Sequence, residues 1–384
     1  MTETMRWFGE NDPVPIEYVK MAGVSGIVSS LHHIPIGDAW SIDEITKRKK
    51  LIESHGLRWD VVESIPVHED IKVRGGNFQL FIENYKTTLS NLGQCGINIV
   101  CYNFMPLLDW TRTNLRYPCE DGSLALAFDW RDLAVFDIYI HKRPGAGNDY
   151  SLREAAEIKS YFNGLERTKL AEIEDNILKG LPGAEPSYTL DTFRASFDRF
   201  KKLDRNALRR NLILFLQDIM PTAERNNLRL AIHPDDPPIP LFGLPRVVSK
   251  EEDLAFIFAA VDSPANGFTF CTGSLGVASG NDLPGIIQRL GDRLYFIHLR
   301  NIRRLGSGSF VESNHIDGDV DMKSVVRNIL QLMKVRRESI PMRPDHGHQM
   351  LDDIKKLNIN PGYTAIGRMR GLAELRGLQC GLLD

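Results

Sequence analysis

The sequence predicts an α/β fold, a (β/α)8 TIM barrel, and three observations lead to this prediction. Short β-rich segments alternate with helical segments along most of the 384 residues. Eight such strands can be counted, and eight strands alternating with helices favour a closed parallel barrel over an open sheet. The later strands end in side chains that bind metals, where barrels of this kind carry their active sites. Because such barrels reach this length with insertions, we expect residues 1–384 to form a single domain.

The first half of the barrel is predicted from four strands and the helices between them. The strands are predicted at residues 5–8, 26–31, 57–62 and 97–101, and the helices at 16–22, 42–55 and 77–92. Ser41 and Glu44 have the spacing of a capping box, which predicts the start of the second helix. Gly56 and Gly93 are predicted to end the second and third helices in the left-handed conformation.

Residues 107–203 interrupt the alternation. This stretch is polar and aromatic, with helical segments at 152–165 and 168–178. We therefore expect a largely helical insertion after the fourth strand. It either caps the barrel or joins a subunit partner, and its length alone does not decide between the two.

The alternation resumes after the insertion. Strands are predicted at 229–233, 268–271, 293–299 and 339–343, and helices at 206–226, 251–261, 283–290, 321–334 and 363–378. Pro284 is acceptable in the first turn of its helix, where the missing N–H has no partner to lose. Residues 304–309 are rich in glycine and serine, and we expect either a mobile loop that closes over a ligand or a plain linker.

Composition favours a soluble, cytoplasmic protein. Lys and Arg total 47 against 50 acidic residues, a formal net charge of −3, so no general attraction to nucleic acid or to an anionic membrane is expected. The five cysteines are odd in number and form no CxxC pair, which fits a reduced protein. Neither a signal-peptide core nor a membrane-length apolar run is present. The absence of Walker, HExxH and GxSxG motifs argues against nucleotide hydrolysis, zincin proteolysis and the usual serine hydrolase scheme.

Four consecutive strands end at residues that commonly bind metals: His233, Cys271, His298 and Asp345. Taken singly, each has an ordinary structural reading, because a lone histidine on a strand is usually structural and a buried cysteine usually acts as a small hydrophobe. Adjacent strands lie roughly 4.8 Å apart, so side chains at equivalent ends can converge on one ion. The four together therefore predict a shared metal site. Two imidazoles, a thiolate and a carboxylate suit Fe(II), Zn(II) or Co(II), whereas the thiolate argues against Mg(II) and Mn(II) is harder than ideal.

Two further residues have both a chemical and a plain interpretation. Arg300 follows His298 by two residues and would share its face if the strand continued, where it could hold a substrate carboxylate. It could equally be an exposed surface arginine. His346 directly follows Asp345 and suits general acid–base catalysis, although it could be an exposed loop histidine.

The ends of the earlier strands predict the opposite wall of the site. His32, Glu63 and Asn103 lie there and are expected to hydrogen-bond substrate hydroxyl groups. Asp235 and Asp236 follow His233 closely, so they either orient ligand histidines or form a simple turn.

Several long stretches of the chain resemble the mannonate dehydratase family. They lie at residues 5–9 (MRWFG), 25–33 (SGIVSSLHH), 102–106 (YNFMP), 231–238 (AIHPDDPP), 270–276 (FCTGSLG), 296–301 (FIHLRN), 343–348 (RPDHGH) and 360–363 (NPGY). The resemblance implies a similar barrel, a Mn(II) or Fe(II) cofactor on the four residues predicted above, and His346 with Tyr363 as the proton-transfer pair. Asn301, in one of these stretches, joins the predicted substrate contacts.

The implied reaction is loss of water from D-mannonate to give 2-dehydro-3-deoxy-D-gluconate, a step of hexuronate breakdown. The expected partners are a small sugar acid and a second copy of the chain in a homodimer, with neither nucleic acid nor membrane. Three alternatives stay open: a metal-dependent sugar isomerase, an endonuclease acting at damaged DNA on a similar barrel, and a non-catalytic metal- or sugar-binding protein.

Overall fold

Eight parallel strands close into a barrel in the computed structural model of the protein, which describes residues 1–180 and 187–383. The strands of this part of the chain are β1 (Thr2–Arg6), β2 (Gly26–Ser29), β3 (Arg58–Glu63), β4 (Ile99–Tyr102), β5 (Asn114–Pro118), β6 (Leu124–Phe128), β7 (Arg229–Ile232), β8 (Asn266–Cys271), β9 (Leu294–His298), β10 (Asn301–Gly306), β11 (Ser309–Ser313) and β12 (Pro341–Arg343). The order around the barrel is β1-β12-β9-β8-β7-β4-β3-β2. The predicted (β/α)8 barrel is confirmed.

Helices surround the barrel and pack on its outer face through one large apolar core. The α-helices of the described residues are α1 (Ile16–Met21), α2 (Ile42–Ser54), α3 (Glu69–Val73), α4 (Phe78–Gln94), α5 (Trp130–Val135), α6 (Leu152–Asn163), α7 (Arg167–Leu178), α8 (Leu190–Phe200), α9 (Arg205–Arg225), α10 (Glu251–Ala260), α11 (Thr272–Val277), α12 (Leu283–Leu290), α13 (Met322–Arg336) and α14 (Ala365–Leu383). Helices of the described chain include none with the length and apolar character needed to cross a membrane.

The predicted barrel strands all exist, but their ends differ by a few residues. The largest difference is in β1, which was predicted at 5–8 and begins at Thr2. Polar Thr2 and Glu3 join the strand because they pair with Pro341 and Met342 of β12. Pairing with a strand at the other end of the chain thus outweighs a weak local signal.

The helix-end predictions are partly right. Ser41 accepts a hydrogen bond from the backbone N–H of Glu44 (3.2 Å), as predicted. However, the Glu44 carboxylate does not reach back to close the capping box, since it bonds instead to Nε2 of His33 (2.8 Å). Gly93 does not end α4, which runs on to Gln94. A Cβ on Gly93 would lie 2.7 Å from Cβ of Asn226, so this glycine permits close packing of α4 against the end of α9.

A second sheet, of four antiparallel strands, stands beside the barrel in the order β10-β11-β6-β5. Residues 107–203 supply β5 and β6, neither of which was predicted, and the segment after β9 supplies the other two. The alternative of a linker at 304–309 is wrong, because these residues form the turn end of the β10–β11 hairpin. The alternative that they move to close over a ligand stays a prediction. Phe128 of β6 pairs with Phe310 of β11, and their rings stack at 5.7 Å.

Candidate active site

Three of the predicted metal-binding residues meet at the carboxyl ends of their strands. The ligand atoms of His233, Cys271 and His298 all lie within 4.8 Å of one another. Sheet register explains the closeness, because Cys271 and His298 are direct partners on β8 and β9. His233 follows β7, the next strand of the barrel.

The chemistry of these donors fits a divalent transition metal. Nδ1 of His233 donates to the carbonyl oxygen of Pro234 (2.7 Å), which leaves the Nε2 lone pair facing the cluster. That Nε2 lies 3.2 Å from Nδ1 of His298. The Cys271 sulfur is fully buried and is hydrogen-bonded by the hydroxyl of Ser274 at 3.2 Å. Two imidazoles and one thiol so close together offer soft and borderline donors of the kind that such ions prefer.

Asp345, the fourth predicted ligand, lies beside this group. Its Oδ2 is 3.7 Å from the Cys271 sulfur. The carboxylate also contacts two guanidiniums, at 2.5 Å to Arg343 Nη1 and 3.1 Å to Arg300 Nη1. Burial alone would raise the pKa of Asp345, but the charges of Arg343, His346 and Arg300 outweigh it and hold that pKa well below its usual range. Asp345 is therefore an anion at neutral pH.

Buried arginines balance buried acids around the donors. Glu63, at the end of β3, accepts from Arg6 Nη1 (2.9 Å) and from Nε and Nη2 of Arg343 (2.9 and 2.8 Å). Arg112 donates to both oxygens of Asp236 (2.7 and 3.1 Å). None of these three arginines was predicted as a site residue. Arg343 had a usable signal, because it ends a barrel strand two residues before Asp345.

His346 and Tyr363, the predicted proton-transfer pair, are in direct contact. Nε2 of His346 lies 3.2 Å from the Tyr363 hydroxyl. Nδ1 of His346 lies 2.9 Å from each carboxylate oxygen of Glu312, a residue of β11 that was not predicted. Burial alone would raise the pKa of Glu312, but His346, Arg300 and Arg112 bring that pKa to about 2. The ionised carboxylate can only accept, so Nδ1–H of His346 donates to it.

One small cavity of about 30 Å³ joins these groups. Its lining residues come from barrel strands, from the segments that follow them and from the segment before α14: Arg6, Glu63, Asn103, Asp109, Trp110, His233, Asp236, Arg300, Arg343, Asp345, His346 and Tyr363. The predicted contacts Glu63, Asn103 and Arg300 therefore lie at the cavity. Arg300 is buried, and its Nη2 donates to Asp236 (2.9 Å), so it is not the exposed surface arginine of the plain interpretation.

Two predicted substrate contacts do not reach this cavity. His32 lines a separate cleft. Asn301 is buried, and its side-chain amide hydrogen-bonds to backbone groups. Its Nδ2 donates to the carbonyl oxygens of His315 (3.2 Å) and Val320 (3.1 Å), and its Oδ1 accepts from N–H groups of Ile302 and Val320. Asn301 therefore fixes the chain after β9, and the structure gives it no free group for a ligand.

Asp235 and His348, which lie near the predicted site residues in the sequence, make structural contacts. Asp235 accepts from Val248 N–H (2.7 Å) and the Ser249 hydroxyl (2.8 Å), so it anchors a loop and does not orient a ligand histidine. Nε2 of His348 hydrogen-bonds the carbonyl oxygen of Glu312 (2.9 Å). His348 thereby ties the chain after β12 to the second sheet.

Glu312→Gln tests the role of this carboxylate in orienting His346. Glutamine has one accepting oxygen where glutamate has two, so its side chain cannot accept from Arg112 on one oxygen and from His346 on the other. The Nδ1–H of His346 then loses the carboxylate that fixes the orientation of the ring. We expect metal content and the KM for the substrate of the site to change little, and kcat to fall roughly 10–10³-fold. Glu312→Asp, which keeps the charge, should recover part of that loss. Equal kcat in wild type and Glu312→Gln would show that Glu312 has a structural role and does not orient His346 for catalysis.

Comparisons with known proteins agree with the geometry. The family model described as D-mannonate dehydratase (UxuA) matches residues 1–383. Relatives named mannonate dehydratase are 52% identical over 388 residues in Marinomonas sp. strain MWYL1, covering 100% of this chain and 99% of the relative, and 48% identical over 384 residues in Saccharophagus degradans strain 2-40, covering 98% and 97%. The crystal structure of mannonate dehydratase from Streptococcus suis serotype 2 matches with a TM-score of 0.78 and 34% identity, covering 100% of this chain and 93% of that one. The chain therefore belongs to the D-mannonate dehydratase family, a family of hydro-lyases.

Proposed function

We propose that this protein removes water from D-mannonate and releases 2-dehydro-3-deoxy-D-gluconate. One observation carries the proposal: His233 and Asp345, on the metal-donor side, line the same cavity as the His346–Tyr363 pair. An elimination beside a carboxylate needs positive charge at the carboxylate, removal of the proton on C2 and donation of a proton to the hydroxyl that leaves C3. The cavity brings groups suited to both tasks together.

We propose that His233, Cys271, His298 and Asp345 hold one divalent ion, Mn(II) or Fe(II). When bound, the ion supplies positive charge that stabilises the negative charge developing on the substrate carboxylate. Arg343 and Arg300 add fixed positive charge beside the same position, since both contact Asp345. Charge that is already in place needs no reorganisation during the reaction.

The proton transfers are assigned to His346 and Tyr363. Burial raises the pKa of Tyr363 to about 12, so its hydroxyl stays protonated at neutral pH and suits donation to the departing C3 hydroxyl. In the neutral imidazole of His346 the lone pair lies on Nε2, which suits removal of the C2 proton. The C2 electron pair then forms the C2–C3 double bond as water leaves, and the enol product ketonises. The sequence left the order of acid and base open, and the contacts of the two residues favour this one.

The substrate must find room in a closed site. A cavity of about 30 Å³ holds roughly one water molecule, whereas a sugar acid needs far more space. We propose that Arg300, Glu63 and Asn103 contact the substrate after the arginine–carboxylate pairs rearrange. Asp109 and Trp110 come from the start of the 107–203 segment and line the cavity, which supports an insertion that caps the mouth of a single domain.

Assembly and compartment are also proposals. We propose a homodimer, which light scattering of the purified protein would test. The described cysteines are all free thiols, and this supports the cytoplasm as the place of action.

Turnover of D-mannonate tests the function. Protein treated with a chelator should be inactive, and Mn(II) or Fe(II) added back separately should restore release of a 2-keto-3-deoxy acid, with Zn(II) as the comparison. An isomeric sugar acid formed without loss of water would identify a sugar isomerase. Salt-sensitive DNA binding would favour an endonuclease. Binding of metal and sugar acid without turnover would indicate a non-catalytic protein.

A further inference from the structure

A second cleft, of about 570 Å³, opens at the barrel mouth on the side of β1 and β2. Its walls come from the segments after these two strands, from α2 and from the segment before α14. It shares no lining residue with the cavity at the metal donors. Its volume lies within the range of small-molecule sites, roughly 300–1,000 Å³.

Arg48 of α2 brings a buried positive charge to this cleft, and the residue is only 8% exposed. Its Nη1 has two long contacts, 3.3 Å to the Ser29 hydroxyl and 3.5 Å to the Ser30 carbonyl oxygen. Within residues 1–180 and 187–383 no carboxylate forms an ion pair with Arg48, and its Nε and Nη2 have no hydrogen-bond acceptor. The acids nearby are Glu10 and Glu44, and Glu44 is already bonded to a histidine. Buried charges are normally paired, so this guanidinium lacks an anion.

The backbone around Arg48 is shaped to hold its guanidinium. Gly9 has a φ of +106°, and a Cβ there would lie 2.5 Å from Nη1 of Arg48. A side chain at this position would displace the guanidinium, and the positive φ also favours glycine. The ring of Trp7 lies 5.2 Å from the guanidinium carbon and supports it through a cation–π contact. The Arg48 side chain is thus held in place, while its Nε and Nη2 remain available to donate to a ligand.

His32 adds a second polar group without a partner. Its Nε2 is enclosed and makes no hydrogen bond to any described residue. Burial lowers the pKa of His32 to about 3, so the imidazole is neutral at pH 7. The Phe8 ring lies between the cleft and the catalytic pair, with its centroid 5.7 Å from His32 and 5.0 Å from Tyr363. A buried polar atom without a partner costs free energy, so the wall of the cleft at His32 is polar and unsatisfied.

We propose that this cleft is a second ligand site, which binds a small organic anion through a carboxylate or phosphate group on Arg48, with His32 in the wall of the cleft. The planar fork of arginine matches both anionic groups. The cleft is much larger than the anionic group alone, which favours a sugar acid or sugar phosphate over a bare ion. The proposal is independent of the dehydration chemistry, since Arg48 is not part of the proposed catalytic site.

Isothermal titration of the metal-loaded protein tests this, with D-gluconate and D-glucose 6-phosphate in separate arms that distinguish carboxylate from phosphate. We expect wild type to bind at least one of them and Arg48→Met to bind it about 10-fold or more weakly, because a charged hydrogen-bond partner is lost. Lys50→Met removes the same charge from an exposed position of the same helix, outside the cleft, and should bind as wild type does.

A second variant keeps the test decisive if Arg48→Met does not fold. Arg48→Lys keeps the charge but not the fork, and its affinity should fall between those of wild type and Arg48→Met. Circular dichroism of each variant checks that the fold is intact. Binding of neither ligand by wild type, or the same affinity in wild type and in the folded Arg48 variants, would overturn the proposal.

Discussion

Cys271→Ser should lose most of its bound metal and most of its turnover of D-mannonate while the barrel stays folded. The thiolate is the only sulfur donor of the three-residue group, and a neutral hydroxyl is a poor replacement for it. Loss of a residue that merely supports a metal ligand costs about 10–100-fold in affinity, so loss of a ligand should cost at least as much. Metal content after dialysis and the rate with D-mannonate measure the two effects.

The barrel itself should tolerate this change. Cys271 caps α11, and its sulfur lies 3.5 Å from the backbone N–H of Ser274, a contact that a serine hydroxyl can also make. The metal-free variant should therefore melt close to metal-free wild type. Cys380→Ser, at an exposed position of α14, is the matched control and should keep both metal and activity. Full metal content with normal turnover in Cys271→Ser would remove the cysteine from the site.

His346→Ala should keep its metal but turn over D-mannonate ~10²–10⁴-fold more slowly, the usual scale for loss of a general acid or base. The imidazole connects the Glu312 carboxylate on one side with the Tyr363 hydroxyl on the other, and alanine removes both contacts. Because His346 is not one of the four proposed metal donors, metal content separates a chemical defect from loss of the metal site. Steady-state rates and metal analysis on the same sample provide the measurement.

A surface histidine controls for the effect of removing an imidazole. His55→Ala removes contacts with Leu51, Ser54 and Glu17, none of which belongs to the proposed site, so its turnover should equal that of wild type. Near-normal turnover by metal-loaded His346→Ala would exclude His346 from proton transfer. Tyr363 would then have to be considered with a different partner.

The barrel could be predicted because strands buried on both faces leave continuous apolar runs in the sequence. His233, Cys271 and His298 could be predicted for a related reason. In a parallel barrel, equivalent strand ends share one rim, so neighbouring ends such as Cys271 and His298 must lie close together. The position of each donor at the end of its strand was therefore enough to predict that the donors meet.

The second sheet and the buried ion pairs could not be predicted in this way, since they join residues far apart in the sequence. Arg112 and Glu312 are 200 positions apart, and Glu63 and Arg343 are 280 apart. No local pattern marks such a pair. The β10–β11 hairpin had a local signal in Gly306-Ser307-Gly308, three residues with positive φ, but its glycines resemble those of a flexible loop.

The same limit explains why His32 and Asn301 were expected at the catalytic cavity. His32 follows a barrel strand, and Asn301 lies next to Arg300, which lines the cavity. Position in the sequence does not show in which direction a side chain points. The Asn301 side chain bonds to the backbone after β9, whereas the His32 ring packs beside Phe8 and lines the separate cleft. Side-chain direction at a strand end depends on packing that only the folded chain supplies.

Anomalous X-ray diffraction from Mn(II)-loaded crystals of the active protein tests the metal centre most directly. We expect one strong anomalous peak bounded by His233, Cys271, His298 and Asp345, and no such peak in crystals of Cys271→Ser grown under the same conditions. Crystals of active protein with the manganese peak elsewhere in the molecule would contradict the site, and the proposed dehydration mechanism would fall with it.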